Sequence, residues 1–177
     1  MAAVILYIAA SLDGYIATSD DGLDWLSLVE RPGEDYGYAA FTSTVDALIM
    51  GSRTFELVRT FDPWPYAGKL TFVCTSRRLQ TDRKDVAFLS GEADRILEQV
   101  LSRGPKRIWL VGGGELVSSF QRQGLIDEYI ISFIPVILGG GKPLFPPPGR
   151  EERLELVSVK HFPSGLVQVR YRRRIAD

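Results

Sequence analysis

Three short segments bring together residues suited to a phosphorylated ligand. In "IWLVGGGELVSSF" (108–120), Gly112, Gly113 and Gly114 separate an apolar run from a helix-like one. Glycine is costly inside regular structure, so three in a row predict a turn from which side chains must be absent, for chain geometry or for a ligand. Bare N–H groups at a helix start would suit a dinucleotide pyrophosphate. The spacing is not G-x-G-x-x-G, since Glu115, Leu116 and Val117 follow, and a tight turn without ligand is the alternative. "IMGSRTFE" (49–56) has the same form: Gly51 closes an apolar run, and Ser52, Arg53 and Thr54 open a helix with hydroxyl and guanidinium donors. "VCTSRR" (73–78) ends another run in Thr75, Ser76, Arg77 and Arg78. Two arginines there would suit the 2′-phosphate that separates NADP from NAD. Taken singly, the second and third segments read more often as a cap or a solvated charge pair.

A fourth segment, "AASLDGYIATSDDGLDWL" (9–26), carries Asp13 and Trp25. Asp13 and Gly14 have the types of a turn pair, and Trp25 those of a core residue closing a loop. A polar loop with an aspartate and a tryptophan above strand ends is also how a substrate lid is built. Cys74 is the only cysteine and His161 the only histidine, which excludes intramolecular disulfides, a Cys–His zinc site and a histidine-activated nucleophile beside these segments.

The elements that must position these residues follow from the apolar pattern. "AVILYIAA" is continuous and rich in β-branched residues, as a strand covered on both faces should be. "ALIMG" (47–51), "LTFVCTS" (70–76) and "RIWLVGG" (107–113) repeat it. Between them, "DYGYAAFTSTVD", "SRTFELVRTF" and "EADRILEQVLSRG" have helical spacing, the last aligning Ile96, Leu97, Val100 and Leu101 before Gly104 as a stop. Strands alternating with helices predict a largely parallel sheet with helices on both faces, and the four polar segments then share the carboxyl edge of that sheet. After a short helix ending at Gly124 come the apolar run "EYIISFIPVIL" and two alternating runs, "RLELVSVKHF" and "LVQVRYRRRI", around the turn "PSG". The last two predict an antiparallel hairpin, and "GGGKPLFPPPGR" (139–150) a surface loop.

The 177 residues, 45% hydrophobic and 24% charged, suit one globular domain over 1–177 with a sizeable core. A net charge of -1 gives no basic field for nucleic acid or an acidic membrane, so neither is expected as a partner. The apolar start has no basic leader and is broken at Asp13–Gly14, well short of a membrane span; a cytoplasmic protein is expected.

Together, "ASLDGYIA", "DWL", "IMGSRTFE" and "LVGGGELVSSF...GLIDEYIISFIPVILGGGKPLF" closely resemble the dihydrofolate-reductase-like superfamily. Within it they are most similar to the reductase domain at the C-terminus of the bacterial riboflavin-biosynthesis deaminase/reductase and its stand-alone relatives. The likeness runs from residue 4 to about 172 and is most specific from Gly112 to Phe145. It implies a three-layer α/β fold: a mixed, mostly parallel sheet of about eight strands with an antiparallel C-terminal hairpin, helices on both faces, and NADPH across the strand ends.

By the same likeness, Gly112, Gly113, Gly114, Glu115 and Leu116 approach the nicotinamide side and pyrophosphate, and Gly51, Ser52, Arg53 and Thr54 the other phosphate side. Thr75, Ser76 and Arg77 surround the adenosine 2′-phosphate, while Ala10, Gly14 and Ile16 border the nicotinamide. Asp13 is expected to bind substrate or deliver a proton, beside Ser11 and Leu12, with Trp25 and Tyr38 walling a ring by stacking. No metal is implied. The expected activity is NADPH-dependent reduction of a small heteroaromatic or carbonyl compound, pterin-like or ribosylaminopyrimidine-like, by a homodimer paired through its C-terminal portion. A non-catalytic nucleotide-binding module and a dihydrofolate reductase are the alternatives. Against the family's pattern G-R-x-T the arginine of Gly51-Ser52-Arg53-Thr54 is displaced by one, and the first helix carries Tyr38, Ala40, Phe41 and Thr42 where folate enzymes place an acid. The H-x-E and P-C-x-x-C ligands of the zinc deaminase half are absent.

Overall fold

The apolar run at the start of the chain becomes the central strand β1 (Ala3–Ser11), covered on both faces as its composition requires. The computed structural model describes residues 2–174. Strands β3 (Ala47–Gly51), β4 (Leu70–Cys74), β5 (Val86–Leu89), β6 (Arg107–Gly112) and β7 (Glu128–Ile134) join β1 in parallel. β9 (Leu154–His161) and β10 (Val167–Arg173) complete an eight-stranded sheet in the order β5-β4-β3-β6-β1-β7-β10-β9, with β10 antiparallel to both neighbours. A separate ribbon pairs β2 (Tyr15–Ala17) with β8 (Lys142–Pro143).

Alternation along the strands feeds two cores. Leu6, Ile49, Ile108 and Leu110 meet α3 (Ala93–Leu101) and α4 (Gly114–Arg122) through Ile96, Val100, Val117 and Phe120. On the other face Ile5, Leu48, Met50, Val73 and Trp109 meet α1 (Tyr38–Thr42) and α2 (Ser52–Val58) through Phe41, Phe55 and Val58. A 3-10 helix, Asp24–Val29, covers a third cluster of Trp25, Val29, Ile134 and Leu166. The expected three-layer mixed sheet with its antiparallel hairpin is therefore what forms.

Some local expectations change. Strand β5 has only four half-buried residues between two polar segments, so its pattern does not stand out. The stripe on α3 is narrower than its spacing suggests, because Leu101 is exposed. Part of the segment 139–150 is ordered as β8 instead of a plain loop. "EYIISFIPVIL" begins as β7, a mostly buried strand between β1 and β10, and ends beyond it with Ile137 exposed. Four exposed apolar residues lie together on the edge strand β9: Leu154, Leu156, Val157 and Val159. The arginines of β10 are partly neutralised by the start of β7, Arg170 by Glu128 at 2.7 Å and Arg173 by Asp127 at 2.9 Å. Ile175, the last residue of the predicted hairpin, lies outside the described residues. Among the described residues no helix is long and apolar enough to cross a membrane.

Candidate functional site

The sheet register places three of the polar segments side by side. Gly112 at the end of β6 pairs with Met50, and Gly51 at the end of β3 pairs with Cys74 at the end of β4. The three glycines have different reasons for being glycine. Gly112 has φ +113°, a region side chains rarely adopt, and a Cβ there would lie 3.2 Å from Ile8 Cδ1. A Cβ on Gly114 would lie 2.3 Å from the carbonyl oxygen of Pro143, so α4 can begin only by passing β8 without a side chain. Gly113 has φ -58°, and a Cβ there would meet nothing within 4 Å. Two of the glycines serve the chain's own packing, and the third faces open space. The Gly112–Gly113 peptide is cis. Gly113 is the N-cap of α4 and no side chain caps that helix, which leaves its first N–H groups available to an anion. Glu115 is exposed in the first turn, and Leu116 is half-buried against the core.

A recess of about 220 Å³ opens between the ends of β4 and β5 and the starts of α3 and α4. Thr75, Ser76, Ser90, Ser119 and Leu116 line it, so it joins the glycine turn's helix to the turn after β4. Cys74 also faces it, but burial pushes its thiol up to about 12, far from a reactive thiolate at neutral pH. Arg77 lies beside the recess and is committed elsewhere: its fork grips Glu56 of α2, Nη1 to Oε1 at 3.2 Å and Nη2 to Oε2 at 2.7 Å. Ser52 and Thr54 are half-buried at the start of α2, and Arg53 is exposed.

The segment after β1 is a latch between two loops. The Asp13 carboxylate accepts from Ser11 Oγ at 2.6 Å, Leu138 N at 3.1 Å and Gly139 N at 2.7 Å. Ser11, fully buried, also accepts from Tyr15 N at 2.9 Å, so its hydroxyl is occupied within the loop. Leu12 N donates to Val136 O, and Leu144 N to Gly14 O. The Ser11 hydroxyl, followed by the amides of Leu138 and Gly139, holds Asp13 below the usual carboxylate range. A carboxylate kept ionised by three donors is a poor acid at neutral pH, which argues against the expected proton delivery. Ala10 is buried and Ile16 packs on the core, so each presents backbone instead of a free side chain. The side chain of Leu12 is exposed.

Trp25 and Tyr38 do not wall one ring. Trp25 is buried in the cluster under the 3-10 helix, the core role that its sequence setting also allowed. Tyr38 opens α1 and is half exposed, its ring edge-on to Trp109 at 5.9 Å and 6.4 Å from that of Tyr7. Tyr7 was not singled out by sequence. It is the one residue with a polar tip inside an otherwise apolar run, and that is the only signal for it. Its ring stacks on Phe41 at 4.2 Å, and continuing the β1–β6 register puts it beside Val111, directly before the glycine turn. Burial raises the pKa of Tyr7. Burial likewise raises that of Tyr38, so both hydroxyls keep their protons at neutral pH.

The acids near α1 face its own backbone. Asp35 accepts from Gly37 N and Ala39 N at 2.9 Å, and Glu34 from Tyr36 N at 2.8 Å. Neither takes the place of the carboxylate that folate enzymes carry on this helix.

The family model of the RibD C-terminal domain matches residues 2–168. The chain is 40% identical over 168 residues to the uncharacterized protein YwjB of Bacillus subtilis (strain 168), covering 94% of this chain and 95% of that one. Among solved structures it is similar to a candidate riboflavin biosynthesis protein of Shewanella sp. PV-4, with TM-score 0.88, 33% identity, and 98% and 99% of the two chains covered. The Thermotoga maritima diaminohydroxyphosphoribosylaminopyrimidine deaminase/5-amino-6-(5-phosphoribosylamino)uracil reductase shares the fold, with TM-score 0.73 and 16% identity over 98% of this chain and 57% of that one.

Proposed function

Because the chain belongs to the RibD C-terminal domain family, we propose that it is an NADPH-dependent reductase of a small heteroaromatic substrate, of the 5-amino-6-(5-phosphoribosylamino)uracil class. The observation that carries this reading is the glycine turn. Packing accounts for Gly112 and Gly114, while Gly113 leaves open space at an uncapped helix start, next to a hydroxyl-lined recess. That is a cradle for a pyrophosphate with a nucleoside beside it.

The N–H groups of Gly114, Glu115 and Leu116 would hold the pyrophosphate, with the start of α2 from Gly51 through Thr54 on its far side. Thr75, Ser76 and Arg77 would meet the adenosine end. Bound NADPH supplies a hydride. The chain's own residues then orient the substrate and meet its developing charge. Tyr7 and Tyr38, half-buried and protonated, would donate hydrogen bonds to a heteroaromatic ring lying against Val111, while Phe41 and Trp109 fix their planes. Asp13, held ionised, would keep the two loops together over the strand ends.

A homodimer fits the same reading, with the exposed apolar side of β9 as the two-fold contact. The test is oxidation of NADPH in the presence of 5-amino-6-(5-phosphoribosylamino)uracil, followed at the nicotinamide absorbance. Substrate-dependent oxidation is expected. NADPH binding without oxidation across pyrimidines, pterins and quinones would leave a nucleotide-binding module, a reading favoured by the displaced Arg53, by the absence of a carboxylate on the body of α1 and by the engagement of Asp13 within the protein.

A further inference from the structure

Arg77 and Glu56 form an ion pair that links two of the ligand-facing segments. Glu56 sits on α2, five residues after Gly51, and Arg77 on the turn after β4. Their side chains are 50% and 41% exposed, so the core does not require the pair. Arg77 N donates to Thr75 Oγ1 at 3.0 Å, which fixes the turn that lines the recess. Arg53 and Arg59, on the same helix as Glu56, also lie close enough to lower the pKa of its carboxyl.

The recess itself presents the hydroxyls of Thr75, Ser76, Ser90 and Ser119, and no charged side chain lines it. Hydroxyls suit a ribose and its base, with or without a further phosphate. Recognition of a 2′-phosphate dianion needs a cation, and the fork suited to it is Arg77. That fork already holds a carboxylate in the two-pronged geometry a phosphate would need. An arriving phosphate must displace Glu56 and then lie beside its charge.

We propose that Glu56 sets the preference between phosphorylated and unphosphorylated dinucleotide by competing with the 2′-phosphate for Arg77. The inference rests on the reading that this chain binds a nicotinamide dinucleotide. Arg77 is thus a switchable specificity residue, and Glu56 its internal competitor.

Calorimetric titration of wild type, Glu56→Gln and Arg77→Gln with NADPH, NADH and adenosine 2′-monophosphate tests it. Glu56→Gln should tighten NADPH and adenosine 2′-monophosphate on the order of tenfold while NADH changes less than about twofold, since only the phosphate gains a freed fork. Arg77→Gln should bring NADPH down to the affinity of NADH. The gain in Glu56→Gln should shrink as salt rises, because the pair and the site are exposed. An NADPH-to-NADH preference unchanged or lowered in Glu56→Gln, with both dinucleotides bound by wild type, overturns the role of Glu56 and leaves the cofactor reading standing. Failure of all three proteins to bind either dinucleotide overturns both.

Discussion

Asp13 contributes through the amides of Leu138 and Gly139. Its pKa is lowered by folding from the ordinary 3.8, so the stability it adds is complete above that value and is lost as the pH falls through its folded one. Hydrogen exchange at Leu138 and Gly139 should therefore be equally protected from pH 5 to pH 8, after correction for intrinsic rates. Asp13→Asn should weaken that protection throughout the range, since an amide has one acceptor oxygen where the carboxylate has two. Removing the Tyr7 hydroxyl should act differently. Tyr7→Phe keeps the stack on Phe41, so kcat should fall by about 100–1,000-fold with NADPH affinity unchanged, the loss of one hydrogen bond to the transition state. Wild-type kcat in that variant would remove Tyr7 from the site.

At the scale of elements, the glycine turn and the edge strand give the clearest expectations. Gly114→Ala sets a Cβ against the backbone of β8 and should cost about 1–3 kcal/mol of stability by thermal unfolding, as overpacking does. Strand β9 shows Leu156 and Val159 to solvent beside an unpaired edge. If β9 is the two-fold contact, Leu156→Lys with Val159→Lys should turn a dimeric mass in light scattering into a monomeric one without loss of NADPH affinity. The sequence marks most of the parallel strands by their apolar runs, and it marks the hairpin by alternation. Strand β5 and the β2–β8 ribbon escape notice, because two to four half-buried residues carry no period of their own.

For the whole molecule, a family likeness and a sheet edge together decide which residues are near one another, and less about what each does. The segments "GGGE", "GSRT" and "CTSR" were legible as ligand-facing because parallel strands must end on one edge, and the register indeed sets their ends side by side. The tasks of Asp13 and Arg77 were not legible, and that of Trp25 only as one of two readings. Each depends on a partner far along the chain: Leu138 and Gly139 for Asp13, Ile134 and Leu166 for Trp25, Glu56 for Arg77. Tyr7 was hidden for the opposite reason, since it sits within a run whose apolar character explains itself.

The central claim is that Gly113 is glycine for a cofactor and its two neighbours for the protein. The most direct measurement is calorimetric titration of wild type and Gly113→Ala with NADPH, alongside their thermal unfolding. The account predicts micromolar binding by wild type, binding weakened at least about tenfold in Gly113→Ala, and melting temperatures within about 2 °C of each other, because the added methyl enters open space. Equal binding by the two proteins, or no binding by wild type, would contradict it.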